Sequence, residues 1–162
     1  NFLGVPKDFV FIKDNFLDYK FSDNYDYAYS LYNCYKDNEE LYKTLKKTYS
    51  LLKENGKLVI DCFNKSWRDS IDKDFYKELY IDENYKLIIR RDYDFKTGNE
   101  LTVYELYREN IKIKDFTFVQ KFFEIDDILD ILDNKWSYNL ANSNDSQTRN
   151  NSQKHIMILR KK

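Results

Sequence analysis

Two stretches of this chain set polar side chains directly behind an apolar run. The first is Phe9-Val10-Phe11-Ile12, which ends in Lys13, Asp14, Asn15 and Phe16. The second is Tyr25 to Tyr32, which runs on into Asn33. In open parallel sheets ligands collect at the carboxyl ends of the strands. That makes Leu31, Tyr32 and Asn33 candidates for contact with a bound molecule, with core packing the competing role for Leu31 and Tyr32. Taken by itself, Asp14 is a loop carboxylate able to cap a following helix. His155, the sole histidine, precedes a terminal apolar run and reads as structural or exposed rather than as a general base. Cys34 and Cys62 lie in or beside apolar runs. They are too few for a disulfide scaffold, and read as reduced, partly buried thiols.

The elements that position these residues follow from their periodicities. Phe9–Ile12 suits a buried strand of a parallel sheet, where both faces are covered and alternation is lost. Tyr25–Tyr32 is a second strand. Asp37-Asn38-Glu39-Glu40 has the form of a helix N-terminus, a capping side chain followed three residues later by Glu. Leu41, Leu45, Thr48 and Leu52 then recur at helical spacing, with Lys43, Lys46, Lys47 and Lys53 on the other side. Gly56, after Asn55, is the expected stop. Lys57–Asp61 follows as a third buried strand, and strand, helix, strand with short joints argues for a parallel α/β sheet.

The middle of the chain changes character. Tyr85–Phe95 and Glu100–Tyr107 are β-rich runs joined by Lys96-Thr97-Gly98-Asn99, a hairpin signal, and their alternation predicts one wet face. Phe116–Phe122 adds a further strand. Ile125, Ile128, Leu129 and Leu132 mark a short amphipathic helix, and Trp136–Ala141 and His155–Leu159 are final strands. The polar stretch 142–153 between them is expected to be a mobile loop.

The bulk numbers narrow the class of partner. The chain has 162 residues, enough for one domain with a core. Lys and Arg number 27 against 28 Asp and Glu. That balance gives no electrostatic reason to expect nucleic acid or an anionic membrane. No apolar run approaches the ~20 residues needed to cross a bilayer, and no signal-peptide pattern opens the chain. A soluble, cytoplasmic protein is expected, with its oligomeric state open. Because the chain starts at Asn1 and its only methionine is Met157, part of the protein is expected to precede it.

In this order the pieces resemble class I S-adenosylmethionine-dependent methyltransferases, over nearly the whole chain. Phe11-Ile12-Lys13-Asp14 is similar to the end of that family's third strand. Asn24–Asn33 resembles its fourth strand, and Tyr35 with Asp37-Asn38-Glu39 the approach to the next helix. Leu51-Leu52-Lys53-Glu54-Asn55-Gly56-Lys57-Leu58-Val59-Ile60-Asp61 resembles the turn into the fifth strand. Here Glu54-Asn55-Gly56 stands where the family has Pro-Gly-Gly. Asn64 matches the first residue of an Asn-Arg pair in a small-molecule branch, although Lys65 replaces the Arg. Arg91-Asp92-Tyr93-Asp94 with Thr97-Gly98 is similar to that branch's inserted hairpin. Phe122-Phe123-Glu124-Ile125 resembles the approach to its last helix, and Ile156–Lys161 its final strand.

The resemblance implies a Rossmann-like sheet, mostly parallel with an antiparallel last strand, in one partial domain over 1–162. A hairpin insertion would span about 76–122. The implied cofactor is S-adenosyl-L-methionine and the implied acceptor a small molecule. Asp14 would accept from the adenine amino group, Asn15 and Phe16 would flank the ring, and Leu31, Tyr32 and Asn33 would complete the cofactor site. Tyr35, Trp67 and Arg90 would line the acceptor pocket. The family's glycine-rich loop does not occur among Gly4, Gly56 and Gly98. It and the first two strands are expected to precede Asn1. The competing reading is a methyltransferase-like remnant or accessory subunit without catalysis.

Overall fold

In a computed structural model, the described residues are 10, 12–31, 35–71, 75–141 and 153–162. They form two four-stranded sheets and three helices. The first sheet holds β1 (Tyr25–Ser30), β2 (Leu52–Phe63), β7 (Trp136–Leu140) and β8 (Lys154–Lys161), in the order β1-β2-β8-β7. β1 and β2 are parallel, joined through helix α1 (Asn38–Leu51). β8 runs antiparallel to both β2 and β7. The strand–helix–strand reading and the antiparallel last strand are therefore observed. A mostly parallel sheet is not, since one described pair of three is parallel.

α1 forms where its N-terminus is chemically specified. Asp37 accepts from the Glu40 N–H at 2.8 Å, and Glu40 Oε2 reaches back to the Lys36 N–H at 2.8 Å. The reciprocal bond thus lands one residue before the expected one. Leu41, Thr44, Leu45 and Thr48 are buried, and the Thr48 hydroxyl donates to the Thr44 carbonyl at 2.8 Å. The helix ends at Leu51, ahead of Gly56. It is Asn55, at φ 63°, that takes the left-handed conformation. Asn tolerates that region, so the irregular start of β2 does not need its glycine for that purpose.

The core of the first sheet gathers Leu41 and Leu45 of α1, Leu58 and Ile60 of β2, and Met157 and Leu159 of β8. Ile128 of α3 (Ile125–Ile131) and Phe123 close it. Each such side chain contributes roughly 1.5–3 kcal/mol on burial. β1 is a different case. Tyr25, Tyr27 and Tyr29 are all exposed, because alternate residues of a strand share one face and it is the other face, that of Ala28, that packs on the core. Val10 and Ile12 of the expected first strand lie in no strand and are exposed, with no neighbouring strand among the described residues to take their backbone groups. Phe9 and Phe11 lie outside the described residues, as does 142–152 of the expected polar loop.

The second sheet is a meander of β3 (Phe75–Tyr80), β4 (Tyr85–Asp94), β5 (Asn99–Arg108) and β6 (Ile111–Lys121), antiparallel throughout. The β4–β5 hairpin was expected; β3 was not, and β6 begins five residues before Phe116. The short helix α2 (Lys65–Asp69) carries the chain from β2 toward this sheet, with Asn64 accepting from the Trp67 N–H at 3.4 Å. Backbone bonds stitch the two sheets around Phe122 and Phe123. Phe122 N–H donates to the Gly98 carbonyl at 2.8 Å, and Phe123 N–H donates to that of Phe63 at 2.7 Å. Lys65 N–H returns to the Phe123 carbonyl at 2.9 Å.

Gly98 is a position where glycine is required. Its φ is +71°, and an added Cβ would sit 2.6 Å from the Phe122 carbonyl oxygen. Gly98→Ala is expected to lower stability by about 2 kcal/mol or more, from the left-handed strain and the clash together. Urea unfolding measures it, and a loss below about half a kcal/mol would mean that the stitch can relax.

Candidate functional site

The segment after Ile12 folds back over α1. Asp14 Oδ1 accepts from the Asn15 N–H at 2.7 Å, and Asn15 Oδ1 from the Leu17 N–H at 2.9 Å. The Asn15 carbonyl takes the N–H groups of Asp18 and Tyr19 at 3.1 and 3.0 Å. Lys47 anchors this turn to α1. Its ammonium donates to the carbonyls of Leu17 at 2.8 Å and Tyr19 at 2.6 Å. The same cation lies 5.4 and 5.6 Å from the ring centres of Phe16 and Phe21.

A cleft results between this turn, the carboxyl end of β1 and the first turns of α1. Asn15, Phe16, Leu17, Ser30, Tyr35, Glu40 and Thr44 line it. Tyr35 is buried, its hydroxyl 3.0 Å from Ser30 Oγ and its ring edge-on to Phe123 at 6.4 Å. Burial pushes the Tyr35 phenol well above its ordinary pKa, and the Ser30 bond offsets only part of that. The hydroxyl therefore stays protonated. The Tyr35 carbonyl accepts from the Lys121 N–H at 2.6 Å, so the end of β6 abuts the cleft.

Of the residues expected to hold a cofactor, the structure brings Asn15 and Phe16 to this cleft. Asp14 stands beside it, exposed. Leu31 is 46% exposed and does not line it; Tyr32 and Asn33 lie outside the described residues. The three residues expected at an acceptor pocket are spread over three hollows. Tyr35 lines the cleft just described. Trp67 lines a pocket between α2 and the second sheet, and Arg90 a shallow hollow on the opposite face of that sheet, paired with Glu105. His155 is buried, with Nε2 3.2 Å from the Phe123 carbonyl oxygen. Cys62 is a free, buried thiol, its pKa raised by desolvation; Cys34 lies outside the described residues.

Sequence reasoning missed Ser30, Thr44 and Lys47. Ser30 was hidden inside a strand of apolar type, and Lys47 looked like one more lysine on a solvated helix face. It also missed a buried polar cluster behind Trp67. Arg68 Nε donates to Glu100 Oε2 at 2.6 Å, and Gln120 Nε2 to Glu100 Oε1 at 3.0 Å, all three residues being buried. The Arg68 guanidinium also stacks 4.3 Å from the Tyr93 ring centre.

The two-sheet arrangement matches known structures although the sequence does not. No family model and no curated protein matches the chain. The structure of the CcbJ methyltransferase from Streptomyces caelestis aligns at a TM-score of 0.67 with 13% identity. That alignment covers 91% of this chain and 62% of the other. An S-adenosylmethionine-dependent methyltransferase from Clostridium acetobutylicum gives a TM-score of 0.64 with 14% identity, and the same coverage. The sugar N-methyltransferase KedS8 from a Streptoalloteichus species gives 0.61 and 13%, covering 92% and 61%. The fold is shared with these three structures. The chain spans about three fifths of the length of these neighbours.

Lys47→Met is expected to release the turn over α1 while leaving the core in place. Losing two charge-assisted bonds should cost about 1–3 kcal/mol locally. Amide hydrogen exchange of residues 15–21 should quicken while β2 and β8 keep their protection. Unchanged exchange in that turn would show that Phe16 and Phe21 hold it without the cation.

Proposed function

We propose that this chain belongs to an S-adenosylmethionine-dependent methyltransferase acting on a small molecule, with β1 and β2 as its fourth and fifth strands. The observation that carries the reading is the cleft at the carboxyl end of β1, in a fold shared with proteins of that activity. Its chemistry suits the nucleoside end of such a cofactor. Phe16 offers an apolar ring, Asn15 an amide and Ser30, at the end of β1, a hydroxyl, with the Asp14 carboxylate beside them. The cofactor would supply a methyl group on a sulfonium, already activated for displacement.

What this asks of the protein is chiefly positioning. Asp14 would accept from the adenine amino group, with Asn15 and Phe16 flanking the ring. Leu31, Tyr32 and Asn33 stay assigned to the cofactor site. Tyr35 keeps its proton, so its part would be to orient by hydrogen bonding, not to deprotonate an acceptor. Trp67 is kept as the proposed acceptor contact, whereas Arg90 lines a hollow on the opposite face of the second sheet; the inserted region 76–122 would form a cover beside the cleft. The bond from Lys121 to Tyr35 supports that placement, because it ties the end of β6 to the cleft wall.

Asp14→Ala, made in the protein as translated from its natural start, is expected to weaken S-adenosylmethionine binding by roughly 1–3 kcal/mol, the worth of a hydrogen bond to a charged group. Titration calorimetry reads the change. Equal affinity in the two proteins would remove Asp14 from the site.

A further inference from the structure

The pocket between α2 and the second sheet lies across the Phe122–Phe123 stitch from the cleft at Tyr35. Phe123 faces Tyr35, and Phe122 lines the pocket. Four aromatic side chains, Phe63, Trp67, Phe118 and Phe122, make its apolar walls together with Ile71. Its charged lining is two guanidinium groups, Arg68 and Arg91, against the single carboxylate of Glu100. Arg68 takes that carboxylate at 2.6 Å, whereas Arg91 stands off at 4.0 Å. One positive charge is left over, on Arg91.

Two donors there are buried without a hydrogen-bond partner: Arg91 Nε and the hydroxyl of Thr102, a residue only 1% exposed. Burying such groups unpaired is costly, and both lie on pocket-lining residues of one sheet face, since Arg91 and Thr102 are directly paired across β4 and β5. Excess positive charge, two idle donors and aromatic walls together define a ligand. It needs a planar anion that can engage a guanidinium side-on and an apolar ring to cover the walls.

We propose that this pocket binds a small carboxylate carrying an apolar ring, the carboxylate held by Arg91 and Thr102 and the ring lying against Trp67. Trp67 ties the pocket to the acceptor reading above and names its substrate class. Binding of the ring carboxylate is nevertheless separable from binding of the methyl donor.

The test is titration of the protein with benzoate and, in parallel, with neutral benzamide, following the indole N–H signal of Trp67 by NMR. Trp67→Phe assigns that signal against Trp136. Benzoate should shift it saturably and benzamide should not. Arg91→Gln should weaken benzoate about tenfold or more, as expected for losing a charge-assisted bond. The near-isosteric Thr102→Val should weaken it severalfold, and serves if Arg91→Gln fails to fold. Equal shifts from the two probes would overturn the anionic class. No saturable shift, or unchanged benzoate affinity in the variants, would overturn the site. Asp14→Ala should leave the benzoate titration unmoved, so either reading can fail without the other.

Discussion

Everything in this molecule hangs on two consecutive phenylalanines in an extended segment. Phe123 is wholly buried in the core of the first sheet, against Tyr35. Phe122 turns the other way and packs 5.7 Å from the Tyr93 ring of the second sheet. Their backbone groups are shared in the same manner, with Phe63, Lys65 and Gly98 all bonded to this dipeptide. A sheet and a meander with separate hydrogen-bond ladders are thereby fixed by local chemistry. Asn64, completely buried, forms a parallel bridge with Phe123 and caps α2, so the joint is specified from both sides.

The same joint explains why a charged pair can be buried behind it. Arg68 and Glu100 are withdrawn from water, which costs several kcal/mol per ion unless geometry and further hydrogen bonds compensate. Gln120 satisfies the second carboxylate oxygen, and the Tyr93 ring covers the guanidinium. Breaking such a pair on one side leaves an uncompensated charge, so the pair fixes which face of β5 meets α2. Tyr93 also donates to Asp69 at 2.6 Å, and Asp69 accepts from Lys65 at 2.6 Å. α2 is only five residues long, too short to be stable by itself. This network holds it.

From that arrangement come two hollows rather than one continuous site. The cleft on the Phe123 side collects an amide, a hydroxyl and aromatic rings at the end of a parallel strand. The pocket on the Phe122 side collects the excess cationic charge. The cleft is walled by the turn after Ile12, the end of β1 and α1, and the pocket by α2 and the second sheet with Phe63 of β2.

The sequence by itself determined what depends on neighbours a few residues apart. The cap at Asp37, the buried stripe of α1, the β1–α1–β2 unit, the β4–β5 hairpin and the short helix at Ile125 were all legible, because periodicity and turn chemistry act locally. So was the ordered likeness to a methyltransferase, with Asn15 and Phe16 reaching the cleft. The tertiary structure decided the rest. Arg68 and Glu100, 32 residues apart, carry no mark in the sequence that they are buried; only a partner at the right distance makes that affordable. Val10 and Ile12 look like a strand but are exposed, since a strand exists by its neighbours and not by its composition. Tyr35, Trp67 and Arg90 have similar claims on paper to a shared pocket. Three different surfaces received them, because the face a side chain occupies is set by strand register and sheet placement, which no local pattern records.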